Sequence, residues 1–236
     1  MYLTELFNHI SYGELANFYI GNTSEGVIRQ EDYPKIINNI NIALIEIYKQ
    51  VPLRYEQVII QQYSHILDYK LDKRYSYAAN GYNADLPNGQ KAYIMDSVNR
   101  PFLDNVINVV SVHSEIGQEL PLNDSNNPNS INTPTPDVIQ IPYPVDTNVV
   151  FVVYRAHPPK LNSNIANISG VEVDIPAVVV EPLLAYLGYR AYINNTNKQE
   201  SIAYFNRFNT LIAGIQNAGV MSETPVNTRF KDNLWV

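Results

Sequence analysis

Near the C-terminal end, the run DIPAVVVEPLLAYLGYRAYIN (residues 174–194) is apolar almost all the way round a helix. Val179, Leu183 and Leu187 share one face at helical spacing, while Val180, Leu184 and Ala191, and Val178, Ala185 and Tyr189, occupy the others. A helix without a polar face has to be enclosed by protein. Asp174 is placed to cap it, Pro176 fits its first turn, and Gly188 and Asn194 stand towards its end. The next segment, Lys198 to about Ala218, keeps Ile202, Phe205, Leu211, Ile212 and Ile215 largely to one side and offers Lys198, Glu200, Asn206, Arg207 and Gln216 to water. This pattern predicts an amphipathic lid on the first helix. An ordinary core hairpin satisfies it as well as a surface shared with another chain. A membrane span is disfavoured, because Glu181, Pro182 and Arg190 interrupt the apolar run and one central charge costs roughly 2.5–3.5 kcal/mol.

The beginning of the chain supplies two more helices. Thr4 to about Tyr19 places Leu6, Ile10 and Phe18 near one face, with Thr4 as cap and Gly13 weakening the middle. Asp32 then opens a clearer helix carrying Ile36, Ile37, Ile40, Leu44, Ile47, Tyr48 and Val51, which Pro52 ends. Beyond Pro52 the period changes to that of strands: LRYEQVIIQQYS, HILDYKL and KAYIMDS are candidates, and Val106–His113 with Gln118–Leu122 read as a hairpin turning at Gly117. The polar stretch Asn123–Asp137 reads as a long exposed loop that buries nothing. VIQIPYP and TNVVFVVYRAH add two strands, the second nearly all apolar and therefore central. The expected class is α+β: a helical bundle from residues 1–52 and 161–218, a β-rich insertion at 53–160, and an extended C-terminal arm at 219–236.

Composition narrows the chemistry. The 236 residues carry a net charge of -7 and no cysteine, so a broad basic surface for nucleic acid, disulfides, thiolate metal sites and a thiol nucleophile are excluded. The opening MYLTELFNHISYGEL lacks a basic region followed by an unbroken apolar core, and no signal peptide is expected. There is no Gly-rich phosphate loop, nucleophile elbow or H-E-x-x-H motif. The four histidines, His9, His65, His113 and His157, form no i, i+4 pair; His113 and His157 lie on or just after strands and could converge with Asp or Glu on a metal or act as a base, but solvated or core-satisfied histidines explain them better. No catalytic, cofactor-binding or metal-ligating residue is assigned. The tail GVMSETPVNTRFKDNLWV ends in Phe230, Leu234 and the only Trp, Trp235, which reads either as an arm docking on another subunit or as a segment folding back on its own domain.

Taken in order, INNINIALIEIY, VINVVSVHSEIGQELPLND, DVIQIPYP, VVFVVYRAHPPKL, IPAVVVEPLLAYLGYRAY, ESIAYFNRFNTLIAGI and NTRFKDNLWV resemble the head-to-tail adaptor, or connector, proteins of tailed bacteriophages, in particular the podovirus tail-tube A type. The resemblance covers nearly the whole chain and rests on the order and spacing of individually weak patterns. It implies a subunit of a homo-oligomeric, dodecameric ring in the neck of a virion, assembled in the host cytoplasm. Such a ring sits between the portal protein and the downstream tail or nozzle proteins, and DNA passes through its lumen without sequence-specific binding. It further implies that a helix carrying Val179, Leu183, Leu187, Tyr189 and Arg190 packs between subunits, and that an arm with Arg229, Phe230, Leu234, Trp235 and Val236 reaches the portal. The Asn123–Asp137 loop is an elaboration on the family pattern. A different class of function, a small-ligand or carbohydrate-binding module, is suggested by the 18 tyrosines, many of them in the β-rich middle.

Overall fold

A computed structural model of the chain describes residues 1–14, 16, 28–82, 84–87, 89–165, 167–193 and 198–218. Helices and antiparallel sheets segregate along the chain, which is α+β. It divides into two compact units: Met1–Pro52 joins the described residues from Pro158 to Ala218, and Leu53–His157 forms the other. The switch from helical to strand periodicity at Pro52 is thus also a boundary between units.

In the helical unit, α1 spans Leu3–His9 and widens into a single π-helical turn at Ile10–Glu14, the turn that contains Gly13. The N-cap is Tyr2 rather than Thr4, and its N–H donates to the Glu5 carboxylate at 3.0 Å. The expected extension of this helix to Tyr19 runs into residues outside those described. Both edges of the N-terminal segment are tied to the stretch preceding α4 (Ala177–Ile193; α3, Tyr77–Asn80, is a single turn in the β-rich unit), with Leu3 N–H donating to Val171 O and Val173 N–H to Met1 O, each at 2.8 Å.

Helix α2, Tyr33–Gln50, follows a short 3-10 turn. Asp32 holds the N-cap position, but its carboxylate makes no capping hydrogen bond; Pro34 in the first turn, with φ already helical, starts the helix instead. Ile36, Ile37, Ile40, Ala43, Leu44, Ile47 and Tyr48 are buried at three- and four-residue steps. Where the chain returns from the β-rich unit, Asn41 brackets the backbone of Leu161: its Nδ2 donates to Leu161 O and its Oδ1 accepts Leu161 N–H, both at 2.9 Å.

The helical pair read from the sequence is α4, Ala177–Ile193, and α5, Lys198–Asn217. Helix α4 begins three residues past Asp174, after Pro176, and runs through Gly188 for five more residues. Gly188 lies within its last two turns, as expected. It marks a close approach to α5, since a Cβ built there would lie 2.6 Å from the Tyr204 ring. Tyr186 meets Phe208 edge-on at 5.1 Å, and Tyr192 stacks on Tyr204 at 5.4 Å.

The β-rich unit holds two sheets. The larger has the order β3-β1-β8-β4-β5, with β1 Tyr55–Gln61, β3 Ile94–Met95, β4 Val106–Ser114, β5 Glu119–Leu120 and β8 Val149–Ala156. The nearly all-apolar strand β8 is central, as its composition demands, and pairs antiparallel with both β1 and β4. The smaller sheet orders β2 (Asp68–Lys70), β7 (Val138–Gln140) and β6 (Asn132–Thr135). One core joins them, including Val58, Ile60, Tyr69, Tyr93, Ile94, Val112, Ile131, Ile139, Val152 and Tyr154.

One expectation is corrected here. The stretch Asn123–Asp137 is not a loop that buries nothing: Ile131, its one large aliphatic residue, is fully enclosed in the core, and residues 132–135 form β6. Local polar bonding makes this possible, as Asn123 Oδ1 accepts Thr133 N–H and Asn123 Nδ2 donates to Thr133 Oγ1, each at 2.8 Å. Of the nine tyrosines of the middle region, Tyr69, Tyr77, Tyr93 and Tyr154 are buried, whereas Tyr82 and Tyr143 are exposed.

Candidate functional site

The helical hairpin presents the clearest surface for interaction. Helix α5 buries Ser201, Phe208, Ile212 and Ile215 but leaves Ile202 60% and Phe205 40% exposed, although both belong to its expected apolar side. On α4, Ile193 at the C-terminal end is 49% exposed. Tyr189, one turn before Ile193, touches Phe205 with ring centroids 5.0 Å apart, and Phe205 lies one turn from Ile202. Ile193, Tyr189, Phe205 and Ile202 thus form one apolar stripe across the hairpin. An exposed ion pair, Arg207 to Glu181 at 3.2 Å, lies along the same two helices. Such a pair contributes little to stability, about 0–1 kcal/mol.

The helix residues assigned to subunit packing divide into two groups. Val179, Leu183 and Leu187 are buried within their own chain. Already removed from water, these side chains would gain no further burial from a neighbour. Tyr189 and Arg190 are half-buried and remain on the accessible side. The sequence missed Ile193, Ile202 and Phe205 as surface residues because helical periodicity identifies a face without saying whether its own chain covers it. Arg229, Phe230, Leu234, Trp235 and Val236, the residues of the arm, lie outside the described residues.

The pairing of His113 with His157 does not form. His113 faces Phe151 across the β4–β8 ladder, whereas His157 follows Ala156 at the opposite end of β8. Six residues of strand separate the two positions, roughly 20 Å. His113 is buried, its Nε2 2.9 Å from Ser111 Oγ. Among the described residues no group of three or more His, Asp or Glu side chains could hold a metal ion, and no helix is long and apolar enough to cross a membrane.

The buried tyrosines have structural duties. The Tyr69 hydroxyl accepts Tyr63 N–H at 2.9 Å and donates to Tyr63 O at 3.1 Å; Tyr93 does the same for Lys70 at 2.8 and 2.9 Å. Each hydroxyl satisfies both backbone groups of one residue. The Tyr154 hydroxyl donates to the Glu56 carboxylate at 3.0 Å. Burial pushes the Tyr69 phenol up to about 12 and raises those of Tyr93 and Tyr154 further, so all three stay neutral at ordinary pH.

Neither a protein-family model nor a curated protein matches this chain.

Proposed function

We propose that the chain is a structural ring subunit of a phage neck, joining the portal to the tail and extending the DNA channel. The observation that supports this reading most directly is the apolar stripe Ile193, Tyr189, Phe205 and Ile202 on α4 and α5, of which Ile193, Phe205 and Ile202 are exposed and Tyr189 is half-buried. Fully burying an aliphatic or aromatic side chain contributes about 1.5–3 kcal/mol, so copies packed side by side would recover a sizeable free energy from these residues. A closed ring is built from head-to-tail contacts, in which the stripe of one copy meets a different surface of the next. The function is then one of packing, with the arm at Arg229, Phe230, Leu234, Trp235 and Val236 docking on the portal and with DNA passing through the lumen.

Native mass spectrometry of the protein, alone and mixed with the portal ring encoded by the same genome, tests this proposal. A discrete ring-sized assembly is expected in at least one sample, since a subunit whose ring forms only on a template gains its stability from the partner. The double variant Ile202→Asp/Phe205→Asp should keep the monomer folded and lose the assembly. Deleting residues 224–236 should remove portal docking alone. A wild-type protein that stays monomeric in both samples overturns the reading.

A further inference from the structure

An open cleft of about 400 Å³ lies in the β-rich unit, where the β4–β5 hairpin and the start of β8 meet the loops flanking β6 and β7. Small-ligand sites occupy about 300–1,000 Å³. The floor is apolar, formed by Ile131, Ile141 and Val150, all of them core residues. Gln62, Gln118, Asn129 and Asn148 also line the cleft. The ring of Tyr143, 68% exposed, forms part of the wall.

Gln62 has the most distinctive position. It is only 7% exposed, its Oε1 accepts Val145 N–H at 3.0 Å, and its backbone N–H donates to Asn148 O at 2.7 Å. The side chain is therefore oriented by the backbone, and among the described residues its Nε2 has no acceptor. That donor is left to water or to an occupant of the open cleft.

We infer that this cleft binds a neutral saccharide unit. Each amide presents both donors and an acceptor, which matches the hydroxyls of a sugar, themselves both donor and acceptor. The apolar floor and the exposed Tyr143 ring match the C–H faces of a pyranose. Among the described residues no Lys, Arg or His lines the cleft, while Glu115 adds a carboxylate, so phosphates, nucleotides and acidic sugars are disfavoured. A peptide adding itself as a strand is the competing occupant. The strand edge beside the cleft is β5, whose two residues are too few to template one. The inference is independent of ring formation, because it concerns a different unit and a different ligand class.

The test is saturation-transfer NMR of the full chain with glucose, galactose, N-acetylglucosamine and their disaccharides, alongside a sialylated disaccharide and a random-sequence peptide library. Binding of at least one neutral sugar is expected. Tyr143→Ala and Asn148→Ala, at the open mouth of the cleft, should each weaken it by about tenfold, equivalent to roughly 1.4 kcal/mol. Unchanged circular dichroism would show that the variants remain folded. The inference is overturned if no neutral sugar binds, if both variants bind as wild type does, if the sialylated sugar is preferred, or if only peptides bind. Assembly measured in parallel by native mass spectrometry separates failure here from failure of the ring proposal.

Discussion

Tyr69, Tyr93 and Tyr154 show how much a single side chain's role depends on its surroundings. A sequence rich in tyrosine is compatible with an aromatic surface or an aromatic core, and only the position of each hydroxyl distinguishes them. In this chain the hydroxyls of Tyr69 and Tyr93 close the backbone of Tyr63 and Lys70, and Tyr75 stacks on Tyr93 at 4.6 Å. Burial of the neutral phenol has a consequence in alkali. The unfolded chain releases the Tyr69 proton near pH 10, the folded chain only near 12, so between these values the unfolded state binds fewer protons. Stability should be undiminished below pH 10 and fall as pH rises through this window, with Tyr93 and Tyr154 acting in the same direction. Urea midpoints measured across the window check this; Tyr69→Phe should make the decline shallower, and an unchanged slope would contradict the assignment. Asp96 is another residue whose role the sequence did not reveal: its carboxylate accepts the Ser76 hydroxyl at 2.6 Å and the N–H groups of Ala78 and Phe102, each at 2.8 Å, stapling the loops on both sides of β3.

Among the elements, α4 and α5 were recognisable as a pair, but the contact that sets their spacing was not. Gly188 stands towards the end of α4 in sequence and acts as a contact point in the fold. In an exposed helix Ala would be favoured over Gly by about 1 kcal/mol. Against the Tyr204 ring, itself held by Tyr192, the added methyl overpacks the interface, which typically costs about 1–3 kcal/mol. Gly188→Ala should therefore lower the thermal midpoint, while the same change in a Tyr204→Ala background should be neutral or stabilising. Equal effects in the two backgrounds would remove the contact as the cause. Helix α2 and strand β8 were easier to read, because an unbroken 3.6-residue stripe and an unbroken apolar run each admit few alternatives. β6 was obscured for the opposite reason: its residues are polar and its pairing with β7 is irregular, so nothing local marks it as a strand.

At the level of the whole chain, the β-rich unit is an insertion whose first and last strands are neighbours. Tyr55 pairs with Arg155 in the β1–β8 ladder, so the chain enters and leaves this unit at adjacent points. Replacing residues 53–157 by a short Gly-Ser linker should then leave a helical unit that unfolds cooperatively, as followed by far-ultraviolet circular dichroism in urea. A non-cooperative, largely unfolded product would show that the helical unit does not stand alone. The division into helices, a strand-rich middle and helices again was legible from periodicity, because the alternation of apolar residues reports which local geometry can bury them. The central place of β8 followed from its composition for the same reason. Whether Val179 or Ile202 meets water, whether Tyr93 is a pillar or a platform, and whether Ile131 reaches the core from a polar stretch depend on residues distant along the chain. Burial and hydrogen-bond satisfaction are set by what arrives opposite a side chain, and that information is absent from its own neighbourhood in sequence.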